Sequence, residues 1–281
     1  MTDIQRIIKG IAGLKPIPSV VNKIMAITQD PESSMAQLAE VISYDAMATA
    51  NLLKAANSAY YGRSKKFDSI RQAIVYLGME EVVDLVLITS SAQNLKRPQK
   101  GYGLTAGDLW RFSVTSALLA RKLAMARNMP DLHFIFTAAL LKDIGKVVLE
   151  QYVGDSLKEI QALVSQGNCS FREAEKSVLG IDHAELGGMV ARVWQFSPKM
   201  VEIIANHHQP GQASQAREEA AIVYAADLLG MMMGINSGLD GLAYRFDRRI
   251  LESMGMTATK LQTIIADFTG ELHKVEELTA A

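Results

Sequence analysis

Ser34 with Gln37, Ser69 with Gln72, Thr105 with Asp108 and Ser170 with Glu173 repeat one spacing along this chain, and Asp182 with Glu185 gives an acidic version of it. In that spacing a short polar side chain can accept a hydrogen bond from the backbone N–H three residues on, which is how many helices begin. The periodic segments between such boxes place apolar residues three and four positions apart, on one face of a helix. Val, Ile and Thr do not gather into alternating runs, and no hairpin dipeptide sits between two strand-like stretches. The pattern predicts an all-α chain.

At 281 residues, with 49% hydrophobic and 21% charged side chains, the sequence has the composition of a globular protein with a real core. A formal charge of -1 gives no footprint for a polyanion, so no nucleic-acid partner is expected. Cys169 is the only cysteine, which excludes an internal disulfide and a multi-cysteine zinc site and leaves it an inert residue before a helix. The N-terminus lacks the pattern of a secretory signal, and no apolar run approaches the ~18 residues of a membrane span. A cytoplasmic protein without a membrane partner is expected.

The basic, proline-containing stretch Lys96 to Gly101 is the most linker-like in the chain. It divides the sequence into an N-terminal helical subdomain, 1–100, a helical bundle holding most of the histidines, 101–235, and a C-terminal extension, 236–281. One or two helices, including Lys260 to Glu271, are expected in that extension. Asn57 and Ser58 stand between an apolar helix and a loop carrying Gly62, and read as a helix end whose polar side chains satisfy free backbone groups. Gly78 reads as a helix stop with positive φ or as a point of close helix approach. SIRQAIVYLGMEEVV has the outline of a DNA-reading helix-turn-helix, but Glu80, Glu81 and Asp84 would repel phosphates. Trp110 and Trp194 read as packing anchors with bonded indole N–H groups, Met231 to Met233 as core or interface filling, and His133 and His273 as surface residues.

LKPIPSVVNKIMAITQDPESSMAQLAEVISYD, LLKAANSAYYG and SIRQAIVYLGMEEVVDLVL follow one another in order, and together they resemble the HDOD family, regulatory relatives of the HD and HD-GYP phosphohydrolases. The likeness runs from about Leu14 to Leu229. Asp45-Ala46 stands where that family usually shows Asp-Pro, a change expected to affect only a helix start. The resemblance implies an HD-like bundle behind an N-terminal HDOD subdomain. It also implies where a metal site would lie. In catalytic relatives an early histidine, a His-Asp pair, later histidines and a final aspartate hold a divalent ion that activates water. Here the early position corresponds to Phe112 and the pair reads Lys142-Asp143, while His183, His207 or His208, and Asp227 are retained.

An ammonium about 4 Å from a divalent ion is repelled by roughly 8 kcal/mol at an effective dielectric near 20. Lys142 is therefore expected to supply the positive charge itself, pairing with Asp143 or Asp227. Plainer roles stand beside this one. Phe112 continues an apolar stripe, His183 falls in the first turn of a helix, and one of the adjacent His207 and His208 is expected to face solvent or bond a carbonyl. Asp227, among apolar neighbours, needs a partner.

The resemblance implies a non-catalytic bacterial signal-transduction or protein-interaction module. No cofactor is expected beyond a weakly held divalent metal, and the expected partner is a signalling protein or a small ligand. Two rivals remain: a metal-dependent phosphohydrolase acting on a nucleotide or cyclic nucleotide with an incomplete ligand set, and a sensor in which Lys142 and the histidines, helped by Arg111 or Arg121, hold an anion without hydrolysis.

Overall fold

Three of the five boxes close in full. At Ser34, Ser170 and Asp182 the cap side chain accepts from the third helical N–H, and the Gln37, Glu173 or Glu185 side chain reaches back to the cap. Ser69 caps through Gln72 N–H, but the Gln72 amide oxygen takes the N–H of Asp68 instead. The Thr105 box departs from expectation. Asp108 Oδ2 accepts both from Thr105 N–H and from its hydroxyl, each at 2.7 Å, so the threonine oxygen is spent as a donor. The helix starts only at Asp108, behind Gly107 at φ 92°.

The computed structural model describes residues 3–15, 17–58, 61, 66–167, 169–235, 238, 239, 241 and 247–280. Gly62, the loop glycine of the sequence reading, and Asn236, the expected start of the extension, lie outside them. The described residues form an all-α fold whose only extended pairing is one isolated bridge between Gln99 and Leu104. The N-terminal helices are α1 (Asp3–Gly10), α2 (Ser19–Gln29), α3 (Met35–Ser43), α4 (Ala46–Ala56), α5 (Ile70–Leu77) and α6 (Met79–Leu95). Next come α7 (Asp108–Ala126), α8 (Leu132–Leu141), α9 (Ile144–Asp155), α10 (Leu157–Ser165), α11 (Phe171–Leu179), α12 (His183–Val193), α13 (Pro198–Ala205) and α14 (Arg217–Met232). The chain closes with α15 (Arg248–Ser253), α16 (Ala258–Thr269) and α17 (Leu272–Ala280). That makes three C-terminal helices where one or two were expected, because Gly255 and Gly270 interrupt the pattern and α15 is too short to show a period.

Helix α7 packs against α8 and α14, and α9 and α13 both pack on α12. Phe268, Val275 and Leu278 of the last two helices are buried in the same apolar cluster as Ile7 and Leu38. The linker-like stretch is tied down: Gln99 and Leu104 exchange two backbone hydrogen bonds of 3.0 Å, and Gln99 and Tyr102 are buried. Gly78 ends α5 and opens α6 at φ 84°, and a Cβ there would meet nothing within 4 Å. Its role is conformational freedom and not close approach.

Several sequence expectations are corrected. His133 is buried, with Nδ1 3.1 Å from Asp84 Oδ1, and Arg121 pairs with the other oxygen of the same carboxylate. A buried aspartate needs such partners, and they tie α6 to α7 and α8. Arg121 is thereby committed to Asp84. Asn57 does satisfy backbone groups, but those of the returning loop: its side chain accepts from Phe67 N–H at 2.7 Å and donates to Phe67 C=O at 3.0 Å. Ser58 Oγ and Trp110 Nε1 are buried with no hydrogen-bond partner among the described residues. Met232 is 55% exposed, on the outer side of α14.

Candidate functional site

Nine consecutive residues of α8, His133 to Leu141, are buried. A helix apolar on every side belongs in the centre of a bundle, so the turn that follows it, Lys142 and Asp143, lands there too. Both are buried, at 0% and 1% exposure. Gly145 fixes what lies opposite. A Cβ at that position would stand 1.9 Å from His183 C=O and 2.7 Å from Gly187 N, so only glycine lets α9 and α12 cross this closely. The crossing presents His183, first residue of α12, to Asp143: its Nε2 lies 3.8 Å from Asp143 Oδ1. The helix-start and pocket roles of His183 therefore coincide.

Lys142 Nζ bonds Asp143 Oδ2 and lies 2.7 Å from Asp227 Oδ1, on α14. Beneath it, 4.4 Å away, is the ring of Phe112, which gives the ammonium a π face. Lys146, one turn along α9, brings a second ammonium to 3.0 Å from Asp143 Oδ1. Two buried cations thus oppose two buried carboxylates. Burial alone would raise the Asp143 pKa, but Lys142, Lys146 and the nearby imidazoles outweigh it and hold the carboxyl well below its ordinary value.

Helix α13 ends at Ala205, and the turn that follows allows both adjacent histidines to face inward. His207 Nδ1 bonds Ile204 C=O at 2.7 Å while its Nε2 points to Asp143 Oδ1, 3.8 Å away. It is both carbonyl-bonding and pocket-facing. His208 Nε2 lies 2.8 Å from His183 Nε2, and His208 retains partial exposure to a cleft of about 850 Å³. His183 Nδ1 lies 2.7 Å from Glu175 Oε2, and Tyr102 O–H donates to Glu175 Oε1 at 2.5 Å. Since the carboxylate only accepts, Nδ1 of His183 carries a proton. Burial opposes charge on this ring, but Glu175 prevails and raises its pKa. Burial lowers His207 to about 4 against the pull of Asp143, and burial with the neighbouring imidazoles lowers His208. His183 is thus the imidazole suited to carry a proton toward a neutral His208.

The expected pocket set, Phe112, Lys142, Asp143, His183, His207, His208 and Asp227, is brought together in one place. Asn57, Ser58 and Gly78 lie apart, in the α4 to α6 region. Sequence reasoning missed Lys146, Glu175 and Tyr102. Lys146 had a local signal, its i+3 spacing from Asp143; Glu175 and Tyr102, 73 residues apart, had none.

The residues present do not leave a carboxylate site open for an ion: Asp143 and Asp227 face the Lys142 ammonium between them. The imidazoles border the same carboxylate, with His183 and His207 Nε2 each 3.8 Å from Asp143 Oδ1, and His183, His207 and His208 each bring one nitrogen within 4.8 Å of the others. They could hold an ion only by breaking the contact between His183 and His208.

The sequence matches the HDOD domain family over residues 14–210. It is 22% identical over 201 residues to an uncharacterized protein of Treponema pallidum; the match takes in 70% of this chain and 38% of that protein, so the chain spans about two fifths of its relative's length. Among solved structures, an HDOD domain protein with unknown function from Geobacter sulfurreducens superposes with a TM-score of 0.74 at 22% identity, covering 98% of each chain. A candidate signal-transduction protein from Marinobacter aquaeolei superposes with a TM-score of 0.77 at 19% identity, covering 95% of this chain and 59% of that one. These likenesses establish the fold.

Proposed function

The chain belongs to the HDOD domain family, and from that premise we propose that it is a non-catalytic signal-transduction and protein-interaction module whose metal pocket is filled by its own ion pairs. One observation carries the reading: the Lys142 ammonium sits between Asp143 and Asp227 with the Phe112 ring beneath it. Metal-dependent phosphohydrolysis needs carboxylates and imidazoles free to hold an ion that activates water. Here the carboxylates are engaged, and displacing the ammonium would leave it buried against the incoming charge.

A protein partner is the counterpart of this reading. Tyr44, Met47, Val75 and Tyr76, all around α3 to α5 in the N-terminal segment, are 80%, 59%, 77% and 56% exposed. Large apolar side chains left in water are the material of interaction surfaces. The His183, His207 and His208 cluster supports a second reading, a weakly held divalent ion on imidazole nitrogens alone, with the carboxylates left to the lysines.

Hydrolysis of a generic aryl phosphodiester in added manganese tests the proposal. No turnover above that of Asp143→Ala is expected. Turnover that Asp143→Ala abolishes would establish an enzyme instead.

A further inference from the structure

Residues 206–216 join α13 to α14 and carry His207 and His208 into the pocket. The backbone bonds within this stretch are local: Gln209 N–H donates to Asn206 C=O and Gln212 N–H to Gln209 C=O, each at 2.9 Å, and Ala213 N–H donates to Pro210 C=O at 3.2 Å. Bonds of that kind fold a turn but do not place it. The start of α14 lacks a cap of its own as well. Ala216 stands at the cap position, with no side chain to accept from the N–H groups there.

Glu202 meets both needs. It lies in the last turn of α13, and its carboxylate takes four hydrogen bonds from the far end of the stretch. Oε1 accepts from Ser214 N–H at 2.7 Å and from the Ser214 hydroxyl at 2.6 Å, while Oε2 accepts from Gln215 N–H at 2.8 Å and from Ala216 N–H at 2.9 Å. One side chain thus closes the stretch into a loop and gives α14 the negative charge that a helix N-terminus favours. The Ser214 hydroxyl above all, with the three N–H groups, holds the carboxyl below its ordinary pKa against some burial. Pro210, Ala213 and Ala216 are buried and also hold the loop. Apolar packing is non-directional, however, and four bonds to a fixed carboxylate are not.

We propose that Glu202 is a positioning residue for the histidine pocket: by clasping residues 214–216 it sets where the loop lies, and with it the approach of His208 to His183. His207 has a bond to Ile204 C=O at the end of α13, so the clasp acts most on His208, whose Nε2 stands 2.8 Å from His183 Nε2. The three imidazoles could take an ion only if that contact broke, so Glu202 also keeps the cluster closed. It does so whether or not the pocket is catalytic.

Glu202→Ala is expected to speed amide hydrogen exchange at Ser214, Gln215 and Ala216 by at least about tenfold, the effect of losing hydrogen bonds to a charged group, and to shift the His208 ring resonances. Glu202→Gln keeps the packing and one acceptor oxygen, so smaller changes in the same direction are expected, and it carries the test if the alanine variant does not fold. Glu219→Ala is the control: it removes another tie between these helices, Lys199 to Glu219 at 2.5 Å, and should leave His208 unmoved. Unaltered exchange at 214–216 in the Glu202 variants would overturn the proposal. Faster exchange with an unchanged His208 would reduce Glu202 to a helix cap and overturn it too, as would an equal His208 shift in Glu219→Ala.

Discussion

Lys142→Met is expected to destabilise the protein by about 3–5 kcal/mol, the usual effect of removing one partner from a buried ion pair. Methionine fills much of the same space, so packing is largely kept. The damage falls on the carboxylates. Asp143 keeps Lys146, but Asp227 loses the one ammonium at its Oδ1 and remains buried. A urea titration reads the change as a lower midpoint with an unaltered slope. Adding Asp227→Asn removes the stranded charge and is expected to recover at least about 1 kcal/mol. The pH dependence has a definite sign. The Asp143 pKa is depressed in the folded protein, so its contribution is present above the unfolded value of about 3.9 and disappears as the pH falls through the folded one. Wild type and variant should therefore converge in acid. Equal stability at neutral pH would mean that the ammonium contributes nothing to the fold.

Gly145→Ala is expected to be at least as damaging, by more than about 3 kcal/mol, because the added methyl meets backbone that cannot turn aside as a side chain can. The nearest atoms are His183 C=O at 1.9 Å and Gly187 N at 2.7 Å, both on α12. Helices α9 and α12 must separate to admit it, which carries His183 away from Asp143. The variant should lose thermal stability and also change the His183 ring resonances. Loss of stability with an unchanged His183 environment would show that α12 is not positioned by this crossing.

What was legible in the sequence is what is local. Capping at Ser34, Ser170 and Asp182 depends on residues three apart, and the helices followed from it. The pairing of Lys142 with Asp143 needs only neighbouring residues, and Asp227 was marked by being acidic in an apolar run. Tertiary partners were not legible. His133 reads as a surface residue until Asp84, 49 positions earlier, is seen to bind it, and Arg121 reads as a free cation until the same carboxylate claims it. Glu175 has the composition of an ordinary helix surface, and only the fold reveals that it holds His183 and Tyr102. The adjacent His207 and His208 were expected to diverge because continuing helical geometry separates neighbours by about 100°. The helix stops before them, and the turn brings both inward.

Whether an ammonium supplied by the chain takes the place of a metal ion in this pocket is decided by crystals equilibrated with manganese, with diffraction recorded for its anomalous signal. No anomalous peak is expected between Asp143 and Asp227, with Lys142 Nζ bridging the two carboxylates. A strong peak held by both aspartates, with the lysine turned away, would overturn the proposed function.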